Sequence, residues 1–151
     1  MKKNKVAISA CLLGDLCRYD GQTKKDSAVL ELFKDYEVVP FCPEAPILGT
    51  PRERISVHFS DQEFKVLGDE SQKDFTEGIK AQVDLLMQDH EDLEMVVLKS
   101  KSPSCGLGTT PVLNKHREII AFDHGIAVQR FKEMYPEIII VDEIKIKEIV
   151  C

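Results

Sequence analysis

The spacing of apolar residues changes period several times along the chain, and each change marks a boundary between elements. Residues 5–11 (KVAISAC) are a short apolar run that predicts a strand, and residues 12–23 form a polar loop with Gly14 and Gly21. Residues 27–34 (SAVLELFK) set Val29, Leu30 and Phe33 on one face of a helix. Residues 37–42 (EVVPFC) predict a second strand, which Pro40 limits in length or confines to an edge. The next stretch, 43–54 (PEAPILGTPRER), is too rich in proline for a long regular element and predicts a shaped loop. Residues 55–67 alternate around Ser60 to Glu63 and predict a hairpin.

A helix is expected over roughly 74–90, with Phe75, Ile79, Val83 and Leu86 along one stripe. Gly78 inside it costs helicity, so a close neighbour is expected there. A third strand over 93–98 leads into a Gly/Ser/Pro loop over 99–110. Then come a short strand or turn at 119–122, a helix over 125–134, a fourth main strand over 137–141 and a charged amphipathic tail. Strands alternating with helices predict an α/β fold. The expectation is one domain over residues 1–151, a Rossmann-like three-layer sandwich with a mostly parallel sheet.

Composition narrows the possible partners. The chain carries 20 basic and 26 acidic residues, a net charge of −6, and no tryptophan. Such a chain gains little from counterion release, so binding to a nucleic-acid duplex is not expected. Local basic pairs at Lys24 and Lys25, Arg52 and Arg54, and Lys99 and Lys101 point to an anionic small molecule instead. The basic start, Met1 to Lys5, precedes an apolar run too short for a signal peptide or a membrane span. A cytoplasmic protein without membrane contact is expected, a monomer or homodimer. In that reducing setting five cysteines suggest ligands, nucleophiles or core residues before disulfides.

Three of the five stand out by position. Cys11 ends the first expected strand, Cys42 ends the second, and Cys105 lies in the loop after the third. Ligands of open parallel sheets bind beyond the carboxyl ends of strands, so these thiols can converge on one rim. A free cysteine taken alone is more often a small buried hydrophobe. Here each sits in loop sequence suited to a site, with Pro43 and Glu44 after Cys42, and Ser102, Ser104 and Gly106 around Cys105. Three thiolates suit a zinc ion with an open position or an iron–sulfur cluster. Cys17 is close enough to join them, and Cys151 is terminal. Glu44 reads as an acid–base group or as a loop anchor, and Arg18 with Asp20 as a structural pair or substrate contacts. The four histidines show no ligand spacing.

Taken together, the segments SACLLG (9–14), CRYDG (17–21), CPE (42–44), GTPR (49–52), FTEG (75–78), KSPSCG (101–106) and DHG (123–125) resemble the thiouracil desulfurase family over nearly the whole chain. The resemblance implies replacement of a thiocarbonyl sulfur, as in 2-thiouracil, by oxygen from water. It implies a [4Fe–4S] cluster on Cys11, Cys42 and Cys105, with Cys17 outside the ligand set because valine often stands there in the family. Glu44 would be the acid–base group and Ser102 would help position the small thio-substrate, with Ser104 a second candidate. The chain departs from the family pattern after CPE, where Ala45 to Gly49 replaces a common Gly-Gly-Leu stretch. The segment from Ser56 to Gly68 is also individual and is expected to line the substrate pocket. Rival expectations are a noncatalytic cluster or sulfur carrier, a zinc site, and a single-cysteine nucleophile.

Overall fold

The computed structural model describes residues 4–14, 25–49 and 52–150, with side chains as far as Glu148. Its elements alternate as expected. They run β1 (Lys5–Ser9), a 3-10 turn (Ala10–Leu13), α1 (Ser27–Leu32), β2 (Glu37–Phe41), α2 (Ala45–Leu48), β3 (Ile55–Ser60) and β4 (Glu63–Gly68). They continue with α3 (Thr76–Asp89), β5 (Met95–Leu98), β6 (Thr110–Leu113), β7 (Ile119–Asp123), α4 (Ile126–Met134), β8 (Ile139–Asp142) and α5 (Glu143–Val150).

The main sheet is wholly parallel, in the order β2-β1-β5-β8. Its strands are apolar on both faces because both are covered. Val6, Ile8, Val97 and Val141 face one core with Val29 of α1 and Ile146 of α5. Ala7, Val96 and Leu98 face the other with Ile79 and Val83 of α3 and Phe131 of α4. Fully buried valine and isoleucine side chains each contribute roughly 1.5–3 kcal/mol, and they dominate these layers. Pro40 sits on the edge strand β2, opposite Ile8, where a missing N–H can face away from the ladder.

The expected hairpin is present as β3 and β4. The pattern did not reveal its wider setting. A strand at 110–113 pairs in parallel with β3, and β7 pairs antiparallel with it, giving a second sheet in the order β4-β3-β6-β7. Only four residues long, with Pro111 in it, β6 carries too little alternation to separate it from the preceding loop. The proline-rich stretch after β2 contains the one-turn helix α2. Gly78 has the close neighbour its position demanded: a Cβ there would meet Ile47 Cδ1 of α2 at 3.1 Å. Asp84 of α3 ties α4 to it, accepting from Arg130 Nη2 at 2.7 Å and Tyr135 Oη at 3.0 Å. The Arg130 hydrogen bond is the main reason its carboxyl sits below the ordinary range.

The first turn of α4 seats on the loop after β5. Gly125 N–H donates to Gly106 O, Ile126 N–H to Pro103 O and Ala127 N–H to Ser104 O, at 2.8, 3.2 and 2.8 Å. Helix N-termini leave such donors free, and here they hold the SPSCG loop in place. The approach requires glycine at 125, since a Cβ would lie 2.5 Å from the Ser104 carbonyl carbon and 2.9 Å from Cys105 N. Gly125→Ala is therefore expected to lower stability by about 1–3 kcal/mol, as overpacking does. A urea denaturation midpoint measures it, and an unchanged midpoint would refute the contact.

Candidate functional site

The strand order places the chain's switch point between β1 and β5, because the chain crosses from β2 over β1 to reach β5. At such points the loops leaving the carboxyl ends diverge and open a crevice. Cys11 leaves β1 in the 3-10 turn, which Gly14 ends in the left-handed region at φ 104°. A left-handed close of this kind suits a residue with no Cβ. Cys42 follows β2 directly, and Cys105 lies in the loop after β5. All three line one cleft of about 450 Å³, with Glu44, Arg52 and Ser102. That volume is ordinary for a small-molecule site. The convergence expected from strand ends is therefore what the fold builds. No disulfide joins these three thiols to one another.

Each sulfur has a defined setting. Cys11 and Cys105 are buried, whereas Cys42 is partly open. The Cys42 sulfur accepts from the N–H of Ala45, the first residue of α2, at 3.4 Å. Burial pushes the Cys105 thiol well above its usual range, and the negative charges of Glu44, Cys42 and Cys11 push it further, against a hydrogen bond from Ser9. Among the described residues, no group of three or more His, Cys, Asp or Glu side chains is disposed around one metal ion.

Glu44 is held from two sides. Its Oε1 accepts from Arg52 Nη2 at 3.2 Å and from Nε at 3.4 Å. Its Oε2 accepts from Ser104 Oγ at 2.7 Å. Arg52 is 4% exposed and Glu44 12%, so the pair is largely out of water but not sealed from the cleft. Ser102 Oγ lies 3.5 Å from the same Oε2 and accepts from the N–H groups of Ser104 and Cys105, both at 3.1 Å. Ser102 thus shapes the turn that presents Cys105. Ser104 is completely buried, and its hydroxyl meets Glu44. Ser104→Ala removes a hydrogen bond to a charged group, worth roughly 1.5–3 kcal/mol. The expected result is a kcat lower by about 10- to 100-fold, with KM unchanged, in steady-state kinetics.

Arg52, Arg54, Lys99 and Lys101, four of the basic residues singled out in the sequence, all border the cleft. Lys25 lies among the described residues and Lys24 does not. Arg18, Asp20, Cys17 and Cys151 also fall outside the described residues. The segment 56–68 does not line this cleft; the chain just before it does, through Arg52, Arg54 and Ile55. The expectation placed the pocket wall a few residues too late, because β3 turns away into the second sheet once Ile55 has joined it. Glu143 escaped the sequence reading. This buried carboxylate accepts from Ser100 N–H at 2.8 Å and meets Lys99 Nζ at 3.3 Å, bracing the loop after β5. Its place directly after β8 was the available signal, since strand ends in such sheets carry sites.

A parallel α/β sheet that delivers three thiols and a clamped carboxylate to one rim defines a thiol-lined cleft. The chain belongs to the 2-thiouracil desulfurase family, whose model matches residues 6–143. It is similar to a solved structure described as a [4Fe-4S]-dependent thiouracil desulfidase, TudS, with 28% identity and a TM-score of 0.74. The similarity covers 97% of this chain and 95% of that one. Comparison with curated proteins finds no match.

Proposed function

We propose that this protein is an iron–sulfur-dependent desulfidase acting on a thiocarbonyl small molecule such as 2-thiouracil or a related thio-nucleobase. The observation that carries the reading is the meeting of Cys11, Cys42 and Cys105 with Glu44 in one cleft at the strand ends. The donor set fits a [4Fe–4S] cluster. Three thiolates beside a carboxylate repel one another, and the Cys105 thiol resists ionising here. Positive charge on bound irons offsets both effects, and each cysteine of a cluster grips a separate iron. Cys11, Cys42 and Cys105 would hold it. When bound with three protein ligands, it supplies a thiophilic Lewis acid at the remaining iron.

The chain's own residues do the rest. Arg52 and Ser104 fix the rotamer of Glu44 where it lines the cleft. From there the carboxylate takes a proton from the water that attacks the thiocarbonyl carbon. The balance is simple: a thiocarbonyl and one water become a carbonyl and one hydrogen sulfide, with no net oxidation. Ser102, Lys99 and Lys101 border the same space, where a hydroxyl and two cations can offset negative charge on the substrate. The half-buried cleft limits the water that competes for these groups.

The test is turnover. Protein reconstituted without oxygen and given 2-thiouracil is expected to release one sulfide for each uracil formed. A cluster-loaded protein that releases no sulfide from any thio-nucleobase would overturn the reading and favour a carrier.

A further inference from the structure

We propose that Glu143 is a positioning residue that acts through Lys99, holding its ammonium as the fixed positive charge that meets negative charge developing on the substrate. This rests on the desulfidase reading above. Among the described residues, four cations line the cleft: Arg52, Arg54, Lys99 and Lys101. Arg52 is committed to Glu44, and Arg54 and Lys101 are exposed. Lys99 differs from all three. Its side chain is 23% exposed, and its Nζ donates to Ser100 O at 2.9 Å and to Ser100 Oγ at 3.3 Å. A third partner is Glu143 Oε2, at 3.3 Å. The other carboxylate oxygen of Glu143 accepts from Ser100 N–H at 2.8 Å. Glu143 is buried and is not among the residues that line the cleft, so it reaches the substrate only through Lys99.

The arrangement mirrors the one at Glu44. There a cleft carboxylate is held by Arg52; here a cleft cation is held by a buried carboxylate. The first position of α5 suits that carboxylate, because a helix N-terminus favours negative charge. When water adds to the thiocarbonyl carbon, a C–O bond forms and the proton of the water passes to Glu44. The substrate is then more negative until the C–S bond breaks and its electron pair leaves with sulfur. A cation already fixed in a half-buried place stabilises that state without reorganising, whereas an exposed one such as Lys101 must first be ordered and shed water. The gain is confined to the state in which the charge has developed, so it belongs to kcat and not to KM.

The experiment is a double-mutant cycle in steady-state kinetics on 2-thiouracil, with Lys99→Met, Glu143→Gln and the two combined, all at matched cluster content. Lys99→Met is expected to lower kcat by about 10²- to 10³-fold with KM unchanged, as loss of a preorganised charge does. Glu143→Gln still accepts from Ser100 N–H and is expected to lower kcat by about tenfold, because a charged partner becomes a neutral one. The combined variant is expected to match Lys99→Met, since a residue that acts through Lys99 has nothing left to act on. A repeated tenfold loss in the combined variant would make Glu143 a loop brace only and overturn the assignment, as would a Lys99→Met change that falls on KM alone. If the single variants do not load, the combined one decides, because it leaves no unpaired charge in place of the pair: a kcat lower by about 10²-fold supports the role, and one within threefold of wild type refutes it. A loaded wild type that releases no sulfide from any thio-nucleobase defeats the desulfidase reading and this one together, whereas undiminished turnover in Lys99→Met defeats only Lys99 and Glu143.

Discussion

Glu44→Gln is expected to keep the brown colour of the loaded protein and lose about 10²- to 10⁴-fold in sulfide release, the range general acid–base groups supply. Glutamine matches glutamate in size and can still accept from Arg52, so the loop from Cys42 to Gly49 keeps its path. What disappears is the ability to take a proton. Arg52 then loses the charge of Glu44 in a nearly buried position. That loss costs up to about 3–5 kcal/mol of stability, but it appears in the melting temperature and not in the rate of folded enzyme. Steady-state kinetics at matched cluster content separate the two. A variant within twofold of wild type would remove Glu44 from the chemistry.

The second large effect concerns the thiols. Cys105→Ser is expected to abolish both cluster loading and activity, although the change in volume is slight and the residue sits in a loop pinned by α4. A hydroxyl at this buried site is a far weaker ligand for iron than a thiolate. The same outcome is expected for Cys11→Ser and Cys42→Ser, whereas Cys17→Ser should load normally. Iron content and visible absorbance after reconstitution check all four. A single-nucleophile enzyme would behave differently, losing activity with one of the three and tolerating the others.

Of the strands that lead to these cysteines, β1 and β5 were legible because they are buried and read as apolar runs, and β2 because Val38, Val39 and Phe41 give it an apolar stretch. Their order was not, since nothing local to β1 records that β5 lies beside it. The same limit hid the second sheet, where β6 is short and owes its pairing to β3, far away in the chain. Within the site, Cys11, Cys42, Cys105 and Glu44 could be singled out because each stands at a strand end or beside a stiffened loop. Roles that depend on distance could not be separated. Ser102 and Ser104 look alike in SPSCG, yet one accepts from the backbone of its own turn and the other reaches Glu44. Arg52 reads in sequence as half of a basic pair for an anionic ligand and is the buried partner of the carboxylate in the fold.

Everything proposed for catalysis depends on three distant stretches of the chain gripping one inorganic core. Iron and acid-labile sulfide counted on protein purified and reconstituted without oxygen address this directly. About four of each per chain are expected. One zinc per chain with no bound iron would contradict the account.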